Sequence, residues 1–189
     1  MRTLPYKLIL GSQSPRRQEL LKLLDVPFTS LSLNADESYP QHLQAEEIAE
    51  YLAEKKSQFY TLKEDELLIT ADTIVWINNQ ILNKPQTLDE AKKMLHLLSN
   101  ATHTVFTGVC MRTKKHQIVF SDETKVYVKS LSEEEINYYV HTYQPLDKAG
   151  GYGVQEWIGA IAIFKIEGSY FNVMGLPVHL IYQHLKFFQ

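Results

Sequence analysis

The sequence predicts an α/β or α+β fold, a mixed central β-sheet flanked by helices. Three observations point there. Helix-period and strand-period segments alternate irregularly, hairpin signals are interspersed among them, and no repeat, linker or low-complexity tract divides the chain. The 189 residues, 44% of them hydrophobic, suffice for one globular domain or two closely fused lobes with a sizeable core.

Residues 6–10 read as a short buried strand and 11–14 as a loop. Ser14 is a good N-cap and Pro15 a good first helical residue, so a helix is expected over 15–24, with Leu20, Leu21 and Leu24 on its apolar side and Pro27 just beyond. A polar loop through 34–39 leads to a second helix over about 43–62, whose apolar stripe is Ile48, Leu52 and Phe59. The apolar run 67–71 reads as a strand that stops at Asp72. Residues 74–77 and 80–82 flank Asn78-Asn79, a hairpin signal because asparagine tolerates positive φ.

Thr87-Leu88-Asp89-Glu90 has capping-box spacing and opens a helix with Ala91, Met94, Leu95 and Leu98 inward. Residues 102–112 and 117–120 form a second hairpin candidate across Lys114-Lys115-His116, and 124–128 a further strand. Ser132 to Glu135 repeats the capping-box signal for a helix that uses Ile136, Tyr139, Val140 and Tyr143 and ends at Pro145. Beyond the glycine concentration at Gly150, Gly151 and Gly153, a strand is expected over 158–166, a turn at Glu167-Gly168, a strand near 170–173 and a last helix opened by Pro177.

Composition excludes several classes of function. With 19 Lys plus Arg against 22 Asp plus Glu, the net charge of −3 gives no basic coat for gripping a nucleic-acid backbone, although it leaves room for a local anion site. The single cysteine, Cys110, cannot form an intramolecular disulfide and sits in an apolar run, as a buried small hydrophobe in a reducing compartment would. The first ten residues carry Arg2 and Lys7 but no apolar core or cleavage site of a signal peptide, and no run approaches the ~20 apolar residues of a membrane span. The expected address is the cytoplasm, away from membranes. The 7 histidines form no ligand-spaced pair, which disfavours structural zinc.

Chemistry concentrates in a few places. Gly11-Ser12-Gln13-Ser14-Pro15-Arg16-Arg17 lies between a strand and a helix, and its two arginines stand in the first helical turn, where the dipole favours anions over cations. Backbone N–H groups, the hydroxyls of Ser12 and Ser14 and the forks of Arg16 and Arg17 would converge there on a phosphate. No Walker A spacing occurs. Asp72 ends its apolar run at the position where α/β sheets gather ligands, suited to holding a divalent cation or activating water, or equally to ordinary turn chemistry.

Lys55 lies seven residues after Ile48 and three after Leu52, on the apolar stripe of its helix with Lys56 on the flank, so its ammonium must snorkel or find an anion. Lys84, after the hairpin that begins near Asp72, offers another cation. Two lysines, two arginines and a carboxylate in one place would make a polyphosphate site with a metal. Glu37, beside Asp36 in the polar loop, is either a second metal-binding carboxylate or a solvated residue. The glycine concentration permits close approach to a ligand, and Gln155 after it has the donor and acceptor to read a base edge.

Ser12-Gln13-Ser14-Pro15-Arg16-Arg17, Glu37, Lys55, Ala71-Asp72-Thr73, Lys84-Pro85, the segment from Asp147 to Gln155, and Gly175-Leu176-Pro177 run in one order along almost the whole chain. Jointly they resemble the Maf family, the septum-formation-related nucleoside triphosphate pyrophosphatases. The resemblance implies two lobes around a cleft, a fold similar to inosine triphosphatases, and a homodimer. It also implies hydrolysis of a nucleoside triphosphate between the α and β phosphorus atoms, dependent on Mg2+ or Mn2+, giving a monophosphate and pyrophosphate. Asp72 then resembles the family's proton acceptor, Glu37 with Asp72 the metal-holding carboxylates, and Lys55 and Lys84 the lysines around the phosphates.

Arg16, Thr73 and Gln155 resemble the branch acting on dTTP and UTP, including modified pyrimidines, whereas the 7-methyl-GTP branch carries Trp, Gln and Glu at those places. An amide satisfies both the donor and the acceptor edge of uracil or thymine. A non-hydrolytic nucleotide-binding regulator of septum formation is the reading from another class. One departure stands out: the family usually has glycine after the glutamine, and this chain has Glu156-Trp157.

Overall fold

The computed structural model describes residues 4–189; Met1 to Thr3, Arg2 among them, lie outside the described residues. In chain order the elements are β1 (Lys7–Leu10), α1 (Pro15–Lys22), β2 (Phe28–Ser30), α2 (Glu46–Ser57), β3 (Glu66–Ile77), β4 (Gln80–Leu82), α3 (Leu88–Leu98), β5 (Thr102–Arg112), β6 (Gln117–Val128), α4 (Glu133–Tyr143), α5 (Trp157–Ala162), β7 (Ile163–Glu167), α6 (Tyr170–Met174) and α7 (Val178–Leu185). The seven strands form one sheet of order β2-β1-β3-β5-β6-β7, with β4 paired to β3 off that path. It is mixed: β1 pairs β2 and β3 in parallel, while β3–β4 and β6–β7 are antiparallel. The α/β class with a mixed sheet and helices is therefore the observed one.

The residues fall into two compact units, one formed by the chain up to Thr73 with Thr107–Asp122 and Gly175–Gln189, the other by Ile74–Phe106 and Glu123–Met174. In the first, Leu8, Ile9 and Leu10 are buried, and Leu8 stands opposite Phe28 on one side and Leu67 on the other. Helix α2 buries Ile48, Ala49, Leu52, Ala53 and Ser57, and Thr70 Oγ1 donates to the Ala53 carbonyl at 2.6 Å. Gly108 makes this closeness possible, because a Cβ there would lie 2.2 Å from the Ala49 backbone. In the second unit Val75, Leu95, Val105, Val126, Tyr139 and Ile158 belong to one buried cluster. Asn78 (φ 50°) and Asn79 (φ 58°) turn the β3–β4 hairpin, as their chemistry suggests. Thr87 accepts from the Glu90 N–H, and Ser132 with Glu135 makes both bonds of a capping box.

Several expected elements are different in the structure. The strand expected to stop at Asp72 continues to Ile77; the β-branched and aromatic residues after it favour a strand, and Asp72 is tolerated inside because its carboxylate is paired. Segments 117–120 and 124–128 are one strand. The strand expected over 158–166 is the short helix α5 followed by β7, and that expected near 170–173 is the helix α6, opened by Ser169, whose hydroxyl accepts from the Asn172 N–H. Short apolar runs fit either period, and here the buried pair Ile158 and Ala162 follows the helical one. Helix α2 is shorter than expected, so Phe59 falls outside it and is 54% exposed. Strand β2 carries no strong pattern of its own and is recruited by pairing with β1.

Candidate active site

In the first unit, Asp72 is an interior residue of β3 and only 8% exposed. Arg17 of α1 brackets it: Nη1 donates to the Ala71 carbonyl at 2.8 Å, Nη2 to Thr73 Oγ1 at 3.0 Å, and Nε to the Gly175 carbonyl at 2.8 Å. The guanidinium thus holds the residues on either side of Asp72. Burial lowers Arg17 from its ordinary value, the nearby Asp72 partly restores it, Arg16 lowers it further and Glu37 raises it. The Thr73 hydroxyl also lies 3.0 Å from that of Thr107.

The turn before α1 places Ser12 and Ser14 as expected, with a difference in detail. Ser14 occupies the N-cap position, but its side chain makes no capping bond; its N–H donates to Ser12 Oγ at 3.2 Å. No acidic residue stands in the first turn of α1, where Arg16 and Arg17 do.

Helix α2 supplies two lysines, and it is Lys56 rather than Lys55 that the structure turns towards Asp72. Lys56 Nζ contacts Asp72 Oδ1 and lies 3.0 Å from Glu37 Oε1, so both carboxylates converge on one ammonium. Lys55 instead bonds Asp36 Oδ2 at 2.9 Å, the Ser38 carbonyl at 2.7 Å and Ser38 Oγ at 3.0 Å. It clasps the residues before and after Glu37. Hydrogen bonds from Ser38, and then the bond from Lys55, hold the Asp36 carboxyl down to about 2. Lys56, expected on the flank of the helix, is thus the lysine that meets Asp72 and Glu37. Counting Ala49 and Ala53 with Ile48 and Leu52 moves the centre of the buried stripe, at 100° per residue, onto Lys56 and leaves Lys55 at its edge.

Lys84 and Gln155 belong to the second unit, where both are exposed. The Gly150 N–H donates to the carbonyl of Asn83 at 3.2 Å, which ties the glycine segment to the residue before Lys84. In the same segment Lys148 is buried and pairs with Asp147 and Glu156.

Among the described residues no group of three or more His, Cys, Asp or Glu forms a metal cage. Glu37 and Asp72 nonetheless form a two-carboxylate donor set already turned to one positive charge. That set fits a hard cation such as Mg2+, which takes one or two protein carboxylates and completes its shell with waters and substrate phosphates.

A mixed α/β fold that sets a carboxylate into a strand, amid arginine and lysine, defines a class of protein suited to phosphorylated ligands. A family model described as "Maf-like protein" matches residues 7–188, and the chain belongs to the Maf family. It is 51% identical over 186 residues to a dTTP/UTP pyrophosphatase of Parabacteroides distasonis, covering 97% of this chain and 96% of the relative. To a dTTP/UTP pyrophosphatase of Porphyromonas gingivalis it is 51% identical over 188 residues, covering 97% and 94%. A solved structure of a HAM1 protein from Coxiella burnetii matches with a TM-score of 0.43 at 16% identity, over 65% of this chain and 73% of that one.

Proposed function

We propose that this chain is a pyrophosphatase that hydrolyses dTTP and UTP to the monophosphate and pyrophosphate. The convergence of Asp72 and Glu37 on one cationic centre, with Arg17 fixing the strand on both sides of Asp72, is the observation that carries the reading. The names of the relatives at about half identity supply the substrate class.

Asp72 takes the proton of the attacking water at its carboxylate as the water oxygen forms the new P–O bond. The anhydride P–O bond breaks and pyrophosphate leaves with the electron pair. Glu37 and Asp72 would hold a Mg2+ or Mn2+ ion, whose chemistry is to neutralise phosphate charge and polarise the anhydride. Lys56, which faces both carboxylates, and Arg16 would add positive charge beside the phosphates; such placement and neutralisation supply most of the rate in phosphoryl chemistry. Lys84 as a phosphate lysine and Gln155 as reader of the pyrimidine edge are part of the same proposal. So are action as a homodimer in the cytoplasm and the clearing of modified pyrimidine nucleotides. No described helix is long and apolar enough to cross a membrane.

Pyrophosphate release from UTP, dTTP and 7-methyl-GTP, with Mg2+ and after chelation, tests the proposal. The expected result is metal-dependent release from UTP and dTTP well above 7-methyl-GTP. Preference for 7-methyl-GTP would move the chain to the other branch, and triphosphate binding with no release would make it a regulator.

A further inference from the structure

The phosphate chemistry makes no use of Glu156, the residue that stands where the family pattern has glycine, yet this side chain is the centre of a part-buried network in the second unit. Glu156 is the N-cap residue of α5, and its side chain makes no capping bond. Glutamate is not a favoured cap, so the reason for its presence lies elsewhere. The carboxylate turns back to two partners: Oε2 accepts from the Tyr139 hydroxyl, and Oε1 lies 3.1 Å from Lys148 Nζ. Tyr139 is fully buried in α4, and its hydroxyl oxygen also accepts the Gly153 N–H at 3.0 Å. Burial first, and then the bond to Glu156, raises the Tyr139 phenol far above its ordinary value, so it remains the donor to Glu156. The Lys148 side chain, 9% exposed, also holds Asp147 Oδ1 at 2.7 Å.

One carboxylate thereby ties Asp147-Lys148 at the start of the glycine segment and Gly153 near its end to the same helix. The Glu156 N–H closes the turn on the Gly153 carbonyl at 3.0 Å. Gly153 supplies the space: a Cβ there would lie 2.7 Å from Glu156 Cδ and 3.1 Å from Gln155 Nε2. The Glu156 carboxyl and the Gln155 amide thus both lie against the bare Cα of Gly153.

We infer that Glu156 is a positioning residue for base choice: through Tyr139 and Lys148 it fixes the turn from Gly153 and so the place of the Gln155 amide. The inference rests on the dTTP/UTP pyrophosphatase reading above. Base recognition by an amide depends on placement to within about 1 Å, and supporting hydrogen bonds are what secure it. Glu156, Tyr139 and Gly153 hold the turn that carries Gln155 and are not among the residues proposed for the phosphates, so loss of the network should appear in base selectivity and KM.

Glu156→Gln keeps the volume but sets an amide N–H2 against Lys148 or Tyr139. Steady-state pyrophosphate release from UTP, dTTP and CTP, beside a thermal melt, reads the result. The expected outcome is a KM for UTP and dTTP raised about tenfold, a reduced preference over CTP, and a kcat lowered less than about threefold. Tyr139→Phe, which keeps the buried ring, should reproduce the KM shift, and the double variant should add little to either single one. Unchanged KM and selectivity in both single variants would overturn the inference, as would a loss uniform across bases that follows the melting temperature. A wild-type protein releasing no pyrophosphate from any triphosphate would instead overturn the underlying reading, and the inference with it.

Discussion

Arg17 and Lys55 do the same kind of work for two different carboxylates. Each is a cation that bonds the residue before and the residue after an acidic side chain, Arg17 around Asp72 and Lys55 around Glu37, and so aims that side chain without competing for it. Lys56 is the cation that meets both carboxylates. From this division of labour, Lys56→Met should lower kcat on UTP about a hundredfold, as loss of direct charge stabilisation does. Lys55→Met should cost about tenfold at most, because it only loosens the loop that carries Glu37. Steady-state kinetics of the two variants distinguish them, and a larger loss in Lys55→Met would reverse the assignment. At this scale the sequence made Asp72 and the arginine pair stand out through charge in unusual places, whereas Glu37, in a polar loop, was singled out by the family resemblance alone. The sequence obscured the lysines, because Ala49 and Ala53 are small enough to be left out of an apolar stripe although the helix buries them completely.

Elements with a dedicated local signal are where sequence and structure agree. Ser132 and Glu135, Thr87 and Glu90, and Asn78-Asn79 satisfy backbone groups on their own, whatever packs around them. Strand β2, helix α5 and helix α6 depend on tertiary partners, and their periodicity over three to six residues is too short to choose between helix and strand. Packing of α2 is of the second kind, and it turns on Gly108. A methyl group there would press on the Ala49 backbone from 2.2 Å, so Gly108→Ala should destabilise the fold by about 3 kcal/mol, the upper range for overpacking. Urea denaturation measures this, and a midpoint within error of wild type would show that α2 can move aside freely. Because α2 carries both Lys55 and Lys56, activity should fall with stability in this variant.

For the molecule as a whole, stability depends on pH through a buried imidazole. His103 is 2% exposed, its Nε2 lies 2.7 Å from the Tyr152 hydroxyl, and burial lowers it to about 4. In the unfolded chain the same imidazole takes up its proton near pH 6.5. Its contribution is therefore fully present above that value and is lost as pH falls from about 6.5 towards 4, at up to ~1.4 kcal/mol per pH unit. His103→Gln should flatten the denaturation midpoint against pH across that window, and an unchanged slope would remove His103 as the cause. The α/β class, the mixed sheet and the family were legible from the order of motifs along the chain. Two lobes were expected from the length and the resemblance, but the boundaries of the two units were not legible, since β3, β5 and β6 each carry residues of both and no linker marks the change. Above all, Asp72 is proposed as the base of a dTTP/UTP pyrophosphatase, and Asp72→Asn removes that base alone. The asparagine keeps the shape and cannot take up the proton, so pyrophosphate release from UTP and dTTP at saturating Mg2+ should fall by about 10³-fold with the melting temperature little changed. Release at the wild-type rate from a folded Asp72→Asn protein would contradict it.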